Sequence, residues 1–116
     1  MQTGKYENSA EEVTVEFIGD ENTGQCLVKY CERLPEGFCT NVQCTGRYEV
    51  AGDTIKATDL NARITTVVYE TDKEQCDAQD ITMKIVSPGL IEFAFVDANT
   101  KKLRGPYQLA LQASKK

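Results

Sequence analysis

The chain has 116 residues, 27% of them charged and 41% hydrophobic, which is the balance of one ordinary globular domain rather than a disordered chain. Eighteen acidic residues against 13 basic ones give a net charge of −5, which argues against nucleic acid or a bare anionic membrane as a partner. No apolar run nears the roughly 20 residues of a membrane-spanning helix, and histidine, the commonest general base and metal ligand, is absent.

Taken in order, the chain opens on "MQTGKYENSAEEV", which has no apolar stretch and so is not a signal peptide. Residues 1–10 read as a flexible tail and 11–116 as a single domain. "VTVEF" then alternates, with Val13, Val15 and Phe17 on one face, the period-two mark of a half-buried strand.

"CLVKYCERLPEGFCTNVQC", residues 26–44, follows. Pro35 and Gly37 suit a turn, since proline presets φ and glycine tolerates a left-handed backbone. The cysteines are symmetric about that turn: positions 26 and 44, and positions 31 and 39, each add to 70. In a hairpin, facing residues share a constant sum. Cys26 and Cys44 are therefore expected to face each other inward as one disulfide, and Cys31 with Cys39 outward as a second. A three-residue turn closing on Gly37 moves the sum to 72 and makes both pairs diagonal. Pairings with Cys76 also stay open. Two bridges place the protein in an oxidising compartment, which is periplasmic, envelope-anchored or extracellular. Zinc fits poorly, because the spacing is C-x4-C and no histidine is present.

Beyond the hairpin come "GRYEV" (46–50), "TIKATDL" (54–60), "ARITTVVYE" (62–70), "DITMKIV" (80–86), "LIEFAFV" (90–96) and "PYQLALQ" (106–112). Each carries an apolar face with period two. Gly52-Asp53 and Pro88-Gly89 mark tight turns. "TDKEQCDAQD" (71–80) reads as a loop or one short helical turn. About eight short strands joined by short turns give an all-β antiparallel meander, expected as a closed or nearly closed barrel, with a two-sheet sandwich as the alternative.

Within this series, "TGRYEVAGDTIKATDL" (45–60) resembles the G-x-Y-x-x-x-G-D-x-I hairpin of small bacterial envelope proteins of lipocalin-like (calycin-type) fold and, more loosely, the META-type domain. The likeness covers 16 residues, and the chain lacks the G-x-W of classical lipocalins because it has no Trp. The resemblance implies a barrel and an envelope lipoprotein or periplasmic setting. It transfers no functional residue.

Catalytic groups are hard to find. Ser9, Ser87 and Ser114 stand outside any nucleophile motif, and neither serine nor cysteine has a histidine to activate it. Asp20, Asn22 and Gly24 lack the spacing of an EF-hand loop. No phosphate-cradling glycine loop occurs. The expected function is therefore non-catalytic: binding of a small apolar ligand in a barrel cavity lined by Tyr48, Ile64, Val68, Met83, Phe93, Phe95 and Tyr107. No metal or cofactor is expected, and the protein is expected to be a monomer. The alternative is a protein-binding module, such as an inhibitor of an envelope hydrolase, acting through loops near 19–24, 71–80 and 97–105. Arg47, Arg63 and Arg104 read as surface arginines.

Overall fold

The computed structural model describes residues 3–33, 39–66, 71–96 and 102–112, with side chains described for 3–31, 41–61, 63, 80–96 and 102–112. Eight strands follow one another: β1 (Gly4–Asn8), β2 (Val13–Gly19), β3 (Thr23–Arg33), β4 (Cys39–Ala51), β5 (Thr54–Thr66), β6 (Thr71–Ser87), β7 (Leu90–Val96) and β8 (Leu103–Leu111). Each pairs antiparallel with the next, and β8 returns to β1 through Tyr6↔Leu111 and Glu7↔Ala110. The all-β meander is thus a closed barrel, not a sandwich. Closure removes the exposed edges that an open eight-stranded sheet would present.

The count of eight conceals two compensating differences from the sequence reading. The segment 1–10, expected as a tail, contains β1, and Tyr6 within it is fully buried. Tyr6 is the one large apolar residue that β1 sends inward, so no alternation betrayed the strand. Conversely, 54–60 and 62–66 form one strand, β5, rather than two, and the rest of the expected strand, 67–70, lies outside the described residues. The inward phase of β5 passes from Ile55 and Ala57 to Leu60 because Asp59 adopts φ 55° and the register slips between Ala57↔Ile81 and Leu60↔Gln79. This bulge reads in sequence as a break. Asp80 Oδ1 accepts the Asp59 amide at 3.3 Å. Across β4, Gly46 fits the same irregularity, since a Cβ there would strike the Thr58 carbonyl oxygen.

Residues 71–80, expected as a loop or helical turn, belong to β6. Their polarity hid the strand. A two-residue bulge takes up Cys76 and Asp77, between Ala62↔Gln75 and Asn61↔Ala78.

The β3–β4 hairpin uses the sum of 72. Cys26 faces Gly46, Val28 faces Cys44, Cys31 faces Asn41 and Arg33 faces Cys39. The expected facing pairs Cys26–Cys44 and Cys31–Cys39 are therefore corrected to diagonals. Diagonal positions stand about 7–8 Å apart, near or beyond the reach of an undistorted disulfide. Cys26, Cys31 and Cys44 are thiols here, the first and last fully buried.

One end of the barrel carries the β2–β3, β4–β5 and β6–β7 turns, and we call it the Asp20 end. Here each turn passes a hydrogen bond to a strand beyond its own hairpin. Val50 N–H donates to Asn22 O (2.7 Å), Ile85 N–H to Asp53 O (2.7 Å) and Leu111 N–H to Gly89 O (2.7 Å), while Gln112 N–H returns to Lys5 O (2.8 Å). Gly52, at φ 64°, supplies the positive angle that a two-residue hairpin turn requires at its first central position.

Pro88-Gly89, with Gly89 at φ 80°, has the type II arrangement instead. Type II turns splay the strands they join. Accordingly β6 and β7 pair only at Ser87↔Leu90, Ile85↔Ile91 and Lys84↔Glu92, and share no further register pair among the described residues. The opposite end, where β7 meets β8 at Phe95↔Arg104, we call the Arg104 end.

Candidate functional site

Two aromatic groups fill opposite ends of the interior. At the Asp20 end, Phe17 stands edge-on between Tyr6 (5.5 Å, 80°) and Tyr48 (5.0 Å, 73°). The Tyr48 hydroxyl donates to the Asp20 carbonyl oxygen. Burial, and then the Asp20 carboxylate and Cys26, push the Tyr48 phenol up, so it stays protonated as a donor. The Asp20 carboxylate also caps its own turn, accepting from Asn22 N–H (2.8 Å) and Thr23 N–H (2.9 Å). Those amides hold its pKa below the usual carboxylate range. Asp20, which lacked the spacing of an EF-hand loop, thus has its carboxylate engaged by backbone amides. Among the described residues, no three His, Cys, Asp or Glu side chains form a metal cluster.

At the Arg104 end, Phe95 is the hub. Its ring lies 4.7 Å from Tyr30, 5.8 Å from Phe93 and 6.2 Å from Tyr107. Arg104 covers this group: its Cζ is 5.3 Å from the Tyr30 ring centre, 5.5 Å from Phe95 and 5.7 Å from Tyr107. Its Nε–H makes a long 3.4 Å contact to the Tyr107 hydroxyl. A guanidinium within about 6 Å of three rings is held by their negative faces, each contact worth about 0.5–1 kcal/mol where water still reaches.

Register explains why Arg104 is here. Phe93 pairs with Tyr107, but Phe95 pairs with Arg104, so β8 carries one extra residue between them. That bulge falls at Gly105-Pro106 and brings an even-numbered arginine onto the face of the odd-numbered Tyr107. Strict alternation placed Arg104 on the surface, and the structure corrects this. The glycine–proline step after Arg104 was the available signal.

The seven expected ligand residues divide between the ends. Phe93, Phe95 and Tyr107 meet at the Arg104 end. Tyr48 and Met83 are fully buried toward the Asp20 end, where they serve the core. Ile64 sits by register between Val42 and Lys73, with its side chain outside the described ones, and Val68 lies outside the described residues. Sequence reasoning missed Tyr30 and Arg104. Tyr30 was legible as an inward residue but not as a neighbour of Phe95.

Cys26 adds no nucleophile. Burial, reinforced by Cys44, pushes the Cys26 thiol up to about 12. A thiol with so high a pKa stays protonated and inert at neutral pH.

A concavity lies on the outer wall. It has a volume of about 260 Å³ and is lined by Glu12, Thr14, Lys29, Cys31, Asn41, Gln43 and Arg63, with the Tyr30 and Val42 positions beneath.

No family model, curated protein or solved structure compared with this chain matches it. Function therefore rests on the geometry of these sites.

Proposed function

We propose that this barrel is a non-catalytic binding domain of the periplasm, cell envelope or extracellular space, taking a small, largely apolar ligand at the Arg104 end. One observation carries the reading: a guanidinium spread over three aromatic rings, two of them nearly inaccessible to water, beside the place where β6 leaves β7. Rings give apolar contact area, and the guanidinium gives one charged, directional partner. A ligand with an aromatic or aliphatic body and an acidic group meets both at once. The ring cluster at the Asp20 end lies beneath the turns and serves the core.

The test uses 1-anilinonaphthalene-8-sulfonate, which joins an aromatic body to an anion. Fluorescence titration of the folded protein is expected to show one saturable site. Tyr107→Ala should weaken it at least tenfold and Arg104→Gln several-fold, while Tyr48→Phe leaves it unchanged. Binding that is absent, or indifferent to both Tyr107 and Arg104, overturns the proposal.

A second reading, the protein-binding module, has one observation in its favour at the same end. Val96 and Leu103 pair across β7 and β8, and both are well exposed, at 45% and 73%. Of the loops expected in this role, 19–24 is a tight turn, 71–80 is strand, and 97–101 lies outside the described residues, next to the start of β8 at Leu103. That reading expects inhibition of a lysozyme by the wild type and none by Leu103→Asp. An uninhibited lysozyme in both cases removes it.

A further inference from the structure

We infer that the outer half of the β7–β8 hairpin is a flap, hinged at the Asp20 end, that swings away from β6 and β1 and uncovers the Arg104 end. That it admits a ligand rests on the reading above; that it opens does not. Tyr30, Phe93 and Phe95 are buried, so a ligand reaches those rings only when something moves. Among the described residues, β3–β4, β4–β5 and β5–β6 are each joined by eleven register pairs, whereas β6–β7 has three and β1–β8 two. Those few pairs all hold the base of the hairpin, at 90–92 and 110–111.

Past that base the hairpin and its neighbours run on as strands without pairing. Met83 with Phe93 and Thr82 with Ala94 come next in the β6–β7 ladder, and among the described residues neither pair forms. Yet Met83 and Thr82 stay paired with Ile55 and Lys56 of β5, and Phe93 with Tyr107 of β8. On the other side β1 ends at Asn8, whose side-chain Nδ2–H donates to the Gln108 carbonyl oxygen at 3.0 Å. From Gln108 back to Leu103, the register partners of β8 among the described residues all lie on β7. The hairpin itself is paired from Leu90↔Ala110 to Val96↔Leu103, so its outer half moves as one piece. It carries Phe93, Phe95, Arg104 and Tyr107, while Tyr30 stays behind on β3. In the closed state Phe95 rests on Tyr30 at 4.7 Å, and Arg104 Cζ lies 5.3 Å from the same ring. Tyr30 is thus the latch, and Asn8 is a second catch on the β1 side. A piece held by side chains rather than by a backbone ladder opens more readily than the strands around it, and hinge motions of this kind run from microseconds to milliseconds.

The experiment is 15N relaxation dispersion on the intact, ligand-free chain. Exchange on the millisecond scale is expected at Tyr30, Ala94, Phe95, Arg104 and Tyr107, with flat profiles at Val28, Cys44, Tyr48 and Ile55. Tyr30→Ala should raise the open population about tenfold, through loss of one ring pair and one cation–ring contact. Tyr30→Phe, which keeps the ring, should restore most of the closed population. Asn8→Ala should raise the open population several-fold, and it carries the test where Tyr30→Ala does not fold. Flat profiles along the hairpin, exchange as large in β3–β5 as in the hairpin, or an open population unchanged in the folded variants overturns the inference. The two readings fail separately. Exchange in a chain that binds no 1-anilinonaphthalene-8-sulfonate removes the ligand and leaves the flap, whereas dye binding to a chain with flat profiles removes the flap and leaves the ligand.

Discussion

The two ends of this barrel are built from similar aromatic residues to opposite effect. At the Asp20 end, Tyr6, Phe17 and Tyr48 pack edge to face beneath a ring of turns that bond across to neighbouring strands. At the Arg104 end, Tyr30, Phe93, Phe95 and Tyr107 gather under a cation, beyond the last described β6–β7 register pair at Lys84↔Glu92. The cause of the difference is backbone, not composition. A hairpin turn of the kind that matches strand twist joins β4 to β5, whereas Pro88-Gly89 splays β6 from β7. Tyr30, Phe93 and Phe95 are buried as Phe17 and Tyr48 are, so what sets the Arg104 end apart is half-buried Tyr107 and the cation beside it.

The largest effect expected from this contrast is on stability. Phe17→Ala should cost about 3–5 kcal/mol, because a fully enclosed ring leaves a cavity the surroundings cannot fill. Tyr107→Ala, which removes a half-buried ring, should cost roughly 1–2 kcal/mol. Urea denaturation of the two variants checks this, and equal losses would erase the distinction between the ends. Gly46→Ala comes next, at about 1–3 kcal/mol, since its methyl group meets the Thr58 carbonyl oxygen. Tyr48→Phe should lose about 0.5–1.5 kcal/mol with the hydrogen bond to the Asp20 carbonyl.

Thiol reactivity sharpens the comparison further. At pH 8 a thiol reagent should modify half-buried Cys31 before Cys26 and Cys44, which should react only when the chain is unfolded. If Cys26 and Cys44 resist in denaturant until a reductant is added, they are joined by a bridge across the diagonal. The raised Cys26 pKa carries a sign of its own. Its protonated form stabilises the fold below the ordinary thiol pKa, and that contribution is lost as pH rises toward about 12. Asp20 gives the smallest effect, with the reverse sign. Its lowered pKa contributes stability above the ordinary carboxylate range, lost as pH falls through the folded value. Asp20→Asn should flatten that acid limb of the pH–stability curve.

Much of this fold was legible because period-two alternation is strong in β2, β7 and the core half of β6. There Val13, Val15, Phe17, Ile81, Met83, Ile91, Phe93 and Phe95 all turned inward as their spacing required. What escaped was whatever alternation does not encode. β1 escaped because Tyr6 is its one large inward side chain, and the first half of β6 because it is polar. The Asp59 bulge divided β5 on paper by reversing its phase. The β8 bulge at Gly105-Pro106 hid Arg104, and with it the cation of the candidate site. The cysteine pattern was symmetric about the turn, but register follows the backbone hydrogen bonds, and a sum of 72 in place of 70 moved the partner of every residue by two positions along the hairpin.

The central claim is that ligand meets this barrel at its Arg104 end and not within its sealed half. The most direct measurement is the map of amide shifts in a 1H–15N correlation spectrum as 1-anilinonaphthalene-8-sulfonate is added. The account expects saturable shifts gathered at Tyr30, Phe93, Phe95, Arg104 and Tyr107, with Phe17, Tyr48 and Met83 unmoved. Shifts centred on Phe17, Tyr48 and Met83, or none that saturate, would contradict it.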